Sequence, residues 1–351
     1  MLDEMKKPKV LVLASLYGHG GVESHLERLF AAFGESMDFD IVSTRQTKGN
    51  PKPKLRRVQF RPRTSFARKF EVAVAMIIRA AWKRYDVMYV IENGRHVDLA
   101  RAFLLKRGGH VVANVVGDAP AVRAFCQIPP YYDILVVETN WHARIVRNCG
   151  IPEQKVSVIP HIPSSPSEQF QSNRSSVTFG YLGRLTKQKG LDLLMRAIER
   201  MSLEGVQFLI AGRGEMEVEL DAWARRLGNV EVSICTWKND NELDVLFNKI
   251  DVLILPSRSE GLPLIVLESG LRGKRFIAFD VGAMSELKTM PECIVLPKLG
   301  ADGLAQAIQQ ASQGDFTVQS QQAIQHAFQQ RFGSNQTIQD WSNVLLNQPA
   351  S

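Results

Sequence analysis

The chain of 351 residues predicts an α/β protein made of two doubly wound parallel-sheet domains. Three observations carry this. Val10 to Ala14 is an unbroken apolar run, as expected of a strand buried on both faces. The loop Tyr17-Gly18-His19-Gly20-Gly21 follows, and then Val22, Leu26, Leu29, Phe30 and Phe33 recur at helical spacing up to Gly34. Strand, glycine loop and helix together form the opening unit of a doubly wound sheet. Finally, the stretch from Pro160 to Ser176, with Pro160, Pro163, Pro166 and six serines, reads as an exposed linker, and a second strand series starts after it.

The elements then follow in order. In a first domain, residues 1–165, strands are expected at Ile41–Ser43, Val87–Ile91, Val111–Val116 and Ile134–Val137, with a helix from Phe70 to Trp82. In a second domain, residues 166–334, they are expected at Val177–Leu182, Phe208–Ala211, Val252–Leu255 and Phe276–Phe279. Leu191, Leu194, Met195, Ile198 and Met201 form a helical stripe after the first of these. The tail is rich in glutamine from Gln306 onward, yet Ile338, Trp341, Val344 and Leu345 keep helical spacing. Residues 335–351 therefore read as a closing helix and tail.

Composition narrows the function class. A chain that is 45% apolar and 23% charged is an ordinary globular one. No apolar stretch approaches the roughly 20 residues that span a bilayer. Lys6, Lys7 and Lys9 precede the first apolar run, but Asp3 and Glu4 before them spoil the basic start and no small-x-small cleavage site follows. The start therefore reads as a first strand, not a secretion signal. Cys126, Cys149, Cys235 and Cys293 are scattered, with no Cys-x-x-Cys pair, which points to free thiols in a reducing compartment and to no zinc site. His19, His25, His96, His110 and His142 lack metal-ligand spacing and read as core or surface residues.

The net charge of +7 is unevenly spread: residues 1–165 hold 25 Lys/Arg against 15 Asp/Glu, the rest 18 against 21. Between Asp40 and Glu71 ten basic residues face no acid. That stretch, residues 45–69, reads either as a solvated loop or as a contact for an anionic membrane surface or a phosphorylated acceptor. No nucleic-acid recognition motif accompanies it, so no nucleic-acid partner is expected.

The chemistry concentrates in two segments. In Asp251-Val252-Leu253-Ile254-Leu255-Pro256-Ser257-Arg258-Ser259-Glu260-Gly261-Leu262-Pro263-Leu264-Ile265-Val266-Leu267-Glu268, a buried strand ends at Pro256 and a helix begins near Pro263, a favoured first-turn residue. Glu260 falls in the loop past the carboxyl end of the strand, where open α/β sheets bind ligands, and Glu268 lies about a turn and a half into the helix. Two such carboxylates can grip two parts of an extended ligand, and the amides of Gly261, Leu262 and Leu264 offer a seat for phosphate or sugar oxygens. As plain surface glutamates the pair would mean nothing, but the strand-Pro-Ser-x-x-Glu-Gly-x-Pro context is rare. The second segment, Gly183-Arg184-Leu185-Thr186-Lys187-Gln188-Lys189-Gly190, is a strand-to-helix turn. Arg184 offers a planar fork and Lys189 a point charge, both suited to a diphosphate.

These segments resemble motifs of the family 4 retaining glycosyltransferases: Glu-x7-Glu in the first, Gly-Arg-Leu-x-x-x-Lys-Gly in the second. Gly20-Gly21-Val22-Glu23 resembles the family's Gly-Gly-x-Glu, and Ala211-Gly212-Arg213-Gly214 its Gly-x-Gly turn, so the likeness runs over roughly residues 10–290. The resemblance implies the GT-B fold, two Rossmann-like domains facing a cleft with the C-terminal helix crossing back to the first. It implies a nucleotide diphosphate sugar as donor and a glycan or lipid-linked acceptor, in surface polysaccharide or lipopolysaccharide assembly. It also implies retention at the anomeric carbon and no cofactor or metal. Arg184, Lys189 and Glu260 take the catalytic positions in that reading. Gly20, Gly21, Gly183, Gly212, Gly261, Leu262, Pro263, Leu264 and Glu268 take the donor-binding ones. The implied location is cytoplasmic, peripheral at the inner face of the cell membrane.

Some positions depart from the family pattern. Where many members carry a histidine near the reacting sugar the chain reads Asn114-Val115-Val116-Gly117-Asp118, which makes Asp118 the acceptor-side candidate. The usual Pro-Asn-Gly is Pro160-His161-Ile162. Three other functions share parts of this pattern. A nicotinamide-dependent oxidoreductase is disfavoured because Glu23 stands where a third glycine belongs. A sugar-nucleotide epimerase would convert the donor without an acceptor, and a silent partner subunit would bind the donor without turning it over.

Overall fold

The computed structural model describes residues 7–14, 21–43, 56–59, 85–91, 109–128, 130–164, 166, 176–201, 205–227, 230–237, 239–314 and 316–346. Gly20, the expected helix 70–82 and the basic stretch 45–69, apart from residues 56–59, lie outside them. The chain divides into two units, one formed by Met1–Ile162 with Asn335–Ser351, the other by Pro163–Ser334.

The first unit runs β1 (Lys9–Ala14), α1 (Gly21–Phe33), β2 (Asp38–Ser43), β3 (Arg56–Gln59), β4 (Val87–Val90), β5 (His110–Val115), α2 (Ala119–Cys126), β6 (Ile134–Val137), α3 (Asn140–Asn148) and β7 (Val156–Val158). Its sheet has the order β3-β2-β1-β4-β5-β6-β7, every pair parallel. β1, β4 and β5 are buried along nearly their whole length, which is why they read as solid apolar runs. Helix α1 turns Leu26, Leu29 and Phe33 into the core at the spacing that predicts it. Helix α2 starts at Asp118, whose carboxylate accepts from the Ala121 amide at 3.2 Å, and α3 at Thr139, whose hydroxyl accepts from the His142 amide at 3.2 Å.

The second unit runs β8 (Val177–Leu182), α4 (Leu191–Glu199), β9 (Val206–Ala211), α5 (Glu217–Ala224), β10 (Glu231–Cys235), α6 (Asp240–Lys249), β11 (Val252–Leu255), α7 (Leu264–Leu271), β12 (Arg275–Phe279), β13 (Ile294–Leu296), α8 (Ala301–Ser312) and α9 (Val318–Phe332). Its parallel sheet has the order β10-β9-β8-β11-β12-β13. Counted within the unit, this is the doubly wound order 3-2-1-4-5-6, which reverses between β8 and β11. The loops after those two strands therefore flank the crevice where such sheets take ligands. Gly270 lets α7 and α9 touch: a Cβ there would lie 2.2 Å from the Phe328 ring.

Helix α10 (Ser334–Leu346) closes the chain, and its residues from Asn335 onward belong to the first unit. Trp341 and Leu345 are fully buried there among Val10, Val12, Leu26, Leu29, Phe33 and Ile159, and the Trp341 indole donates to the Pro160 carbonyl at 2.9 Å. Pro263 takes the cap position before α7, one residue earlier than a first-turn placement. Replacing Trp341 by alanine removes the largest side chain that α10 buries and orphans the Pro160 carbonyl. The first unit should lose about 3–5 kcal/mol of stability, read as a lower denaturant midpoint.

Candidate functional site

In the second unit the loops at the carboxyl ends of four strands form one contact group. Gly190 has φ +72°, and a Cβ on it would strike the Pro256 carbonyl oxygen at 1.8 Å, so only glycine lets the turn after β8 lie against the end of β11. Gly212 is equally tight, its Cβ position 1.8 Å from the Gly183 carbonyl oxygen. The Leu185 amide donates to Arg213 O at 2.8 Å and the Ala283 amide to Gly261 O at 3.2 Å. The turns at 183–190, 211–214, 256–264 and 282–283 are thus tied to one another through main chain.

Within this group the structure joins two of the sequence-derived residues directly. Lys189 Nζ donates to Glu260 Oε1 at 2.6 Å, with only 16% and 8% of the two side chains exposed. Tyr181 lies beneath them: its hydroxyl donates to the Arg184 carbonyl at 2.6 Å, and burial first, then the Glu260 carboxylate, push its ionisation up. The Arg184 side chain is exposed. Leu262 and Pro263 are buried, while Gly183, Gly261 and Leu264 are half-buried. No side chain caps α7, which leaves its first amides for a ligand's oxygens. Two hydroxyls on the same loops, Thr186 Oγ1 and Ser257 Oγ, are buried without a hydrogen-bond partner among the described residues.

Glu268, 3% exposed, lies on α7, eight residues past Glu260. Its Oε1 accepts from the Ser164 amide at 3.3 Å. Arg272, one turn on and 2% exposed, donates to the Glu268 carbonyl at 3.0 Å, to the Ser164 carbonyl at 3.2 Å and hydroxyl at 3.0 Å, and to Asp244 Oδ1 at 2.9 Å through Nε. The first residues of the unit are thereby fastened beside Glu268. Sequence reasoning did not single out Arg272; a buried arginine needs a carboxylate partner, and its partner Asp244 lies 28 residues away in sequence.

The first unit holds a second polar cluster, also unforeseen. Gly21 opens α1, with open space where a side chain would be. Asp118 is half-buried, engaged as the α2 cap. Behind them, His25 of α1, Tyr89 of β4, Asn114 of β5 and His161 interlock. The Ile162 amide donates to His25 Nδ1 at 3.1 Å, so the proton of the neutral ring sits on Nε2, which faces the Tyr89 hydroxyl at 3.1 Å. Tyr89 donates to Asn114 Oδ1 at 3.2 Å, and His161 Nε2 also meets that oxygen, at 3.1 Å. The two imidazoles stack at 4.1 Å, and Glu138 Oε1 lies 3.4 Å from His161 Nδ1. His142, on α3, spans Thr139 Oγ1 and the Gly117 carbonyl, each at 2.9 Å, and so holds the turn that carries Asp118. Burial drives His25 well below the usual histidine range, with His161 and Arg28 adding to it. His161 is pushed down to about 3 by burial, with His142 and Arg28 adding.

The fold is GT-B. Over its whole length the chain is similar to Anabaena HepE in complex with UDP and glucose (TM-score 0.77, 14% identity, 97% of this chain and all of that one). A family model described as Glycosyl transferases group 1 matches residues 166–330. It is 26% identical over 188 residues to an uncharacterised glycosyltransferase of Methanocaldococcus jannaschii, 48% of either chain. It is also 25% identical over 181 residues to the O-antigen biosynthesis glycosyltransferase WclY of Escherichia coli, 51% of this chain and 49% of that one. The matches span about half the length of these curated relatives. Among the described residues no group of His, Cys, Asp and Glu side chains is placed to hold a metal ion, and no helix is long and apolar enough to cross a membrane.

The histidine cluster has a pH consequence. The unfolded rings titrate near 6.5, whereas the folded ones stay neutral to well below that. The unfolded chain therefore binds more protons between about pH 6.5 and 3, and the stability these rings contribute, fully present above 6.5, is lost as pH falls through that window. Unfolding midpoints measured from pH 7 to pH 4 should fall more steeply for the wild type than for His161→Gln.

Proposed function

We propose that the chain is a glycosyltransferase whose second unit binds the nucleoside diphosphate of a nucleotide sugar and that it transfers the sugar, with retention, to a glycan or lipid-linked acceptor. The observation that carries this is the 2.6 Å contact of Lys189 with Glu260 at the β8/β11 switch point. It joins two motifs some seventy residues apart, inside the segment that matches the family. The HepE neighbour, which holds UDP and glucose, and the O-antigen relative support a nucleotide sugar donor and polysaccharide assembly.

The chemistry follows from charge. As the glycosidic bond breaks, the leaving diphosphate gains negative charge. Arg184, Lys189 and the first amides of α7 are preorganised to receive it, so none of that stabilisation is spent on reorganising solvent. Glu260 holds the Lys189 ammonium in place until the diphosphate arrives and then borders the sugar. Glu268, which accepts from the Ser164 amide, takes the ribose hydroxyls in this reading. The departing phosphate takes the acceptor proton on the face it leaves, which is the route to retention. Asp118 and the turn held by His142 belong to the acceptor side, and residues 45–69 give peripheral contact with an anionic membrane face.

Thermal shifts with UDP-glucose, UDP-galactose, GDP-mannose and ADP-glucose should single out one nucleotide; a flat response to all four sinks the proposal. With the responding donor, Arg184→Ala should lower turnover about 10²–10³-fold, the usual effect of losing one charge-stabilising donor. Glu268→Ala should instead raise the donor KM. Since the side chains and amides carry the developing charge, turnover in excess EDTA should equal turnover with added Mg²⁺; a dependence on the metal would contradict that assignment.

A further inference from the structure

We propose that Arg258 is a positioning residue: by clamping Asp192 and the peptide units that precede Lys189, it holds the two loops of the donor site in register. The inference rests on the donor reading above and deepens it. Arg258 stands at a variable place of the Pro-Ser-x-x-Glu segment, two residues before Glu260, on the loop after β11. Its partners all lie on the other loop or on the helix that follows it. The Arg258 amide donates to Gln188 O at 2.9 Å, and Nη1 donates to Lys187 O at 2.6 Å. Nη1 and Nη2 also grip the Asp192 carboxylate in a fork, at 2.7 and 2.8 Å. Asp192 sits in the first turn of α4, where a carboxylate is favoured by the helix dipole, and the Arg258 fork, its strongest influence, keeps it charged to lower pH than usual.

The arrangement closes a ring. Lys187, Gln188 and Lys189 form one tight turn that ends at Gly190. Arg258 binds the two carbonyls just before Lys189, and Glu260 binds the ammonium of Lys189 itself. A diphosphate that recruits Lys189 must loosen the Glu260 contact. Arg258 makes none of its contacts through the ligand-facing groups, so its ties persist and the turn keeps its geometry while Lys189 changes partner. Preorganisation of this kind is worth having because small misplacements of a charged group are costly. Only a planar guanidinium can hold both carboxylate oxygens and a carbonyl at once, so lysine is not a conservative replacement here.

The test is calorimetric titration with UDP-glucose, GDP-mannose and ADP-glucose, alongside unfolding temperatures. Arg258→Ala, Arg258→Lys and Asp192→Asn should each weaken the binding of whichever donor the wild type takes by about tenfold or more. Asp192→Glu, which restores the carboxylate, should recover most of it. The pair is partly exposed, so unfolding temperatures should move little. Wild-type affinity in Arg258→Ala and Asp192→Asn, with affinity lost in Glu268→Ala, overturns the positioning role and leaves the donor reading standing. A lowered unfolding temperature with unchanged affinity overturns it too, by making the clamp merely structural. A wild type that binds none of the three donors removes both together.

Discussion

The second unit is organised by the reversal of strand order between β8 and β11. Two parallel neighbours at that point send their following loops to the same edge of the sheet, and the closeness of Gly190 to the Pro256 carbonyl leaves no room for a side chain between them. Everything chemical follows from this contact. It brings the Lys189 ammonium onto the Glu260 carboxylate, four residues before the start of α7, and gathers the Gly183 and Gly212 turns around the same rim. An ammonium and a carboxylate so little exposed are costly to separate without a replacement partner. In the proposed function a phosphate-bearing ligand is that partner.

The first unit solves a different problem with the same sheet. Its core contains polar groups that would be expensive alone, and each is satisfied by a neighbour that also fixes the backbone. His25 holds the Ile162 amide, His142 holds the Gly117 carbonyl, and the Trp341 indole holds Pro160. These bonds anchor the segment by which the chain leaves the unit at Ile162, and helix α10, by which it returns. A hydrogen-bonded core of this kind fixes one arrangement more sharply than an apolar one, since any slip leaves buried donors and acceptors unpaired.

Which parts were legible in the sequence follows from burial. Strands flanked on both sides, such as β8 and β11, are buried along nearly their whole length and match their sequence-derived limits. The four strands that escaped notice, β3, β7, β10 and β13, are the four sheet edges. An edge strand needs apolar residues on one face at most. Accordingly Arg56-Arg57-Val58-Gln59 carries a single apolar residue, and Glu231–Cys235 alternates exposed and half-buried. The Lys189–Glu260 pair was readable because both residues sit in short contiguous motifs. Arg258, Arg272 and the histidine cluster were not, because partners such as Asp192 for Arg258, Ser164 for Arg272 and Ile162 for His25 lie 66 to 137 residues away and only the fold brings them together.

The most direct measurement of the central claim is a crystal structure of the chain with UDP bound. The pyrophosphate should lie against Arg184, Lys189 and the first amides of α7, with the ribose on Glu268. A nucleotide seated elsewhere, with Lys189 and Glu260 still joined and no phosphate beside them, would contradict the account.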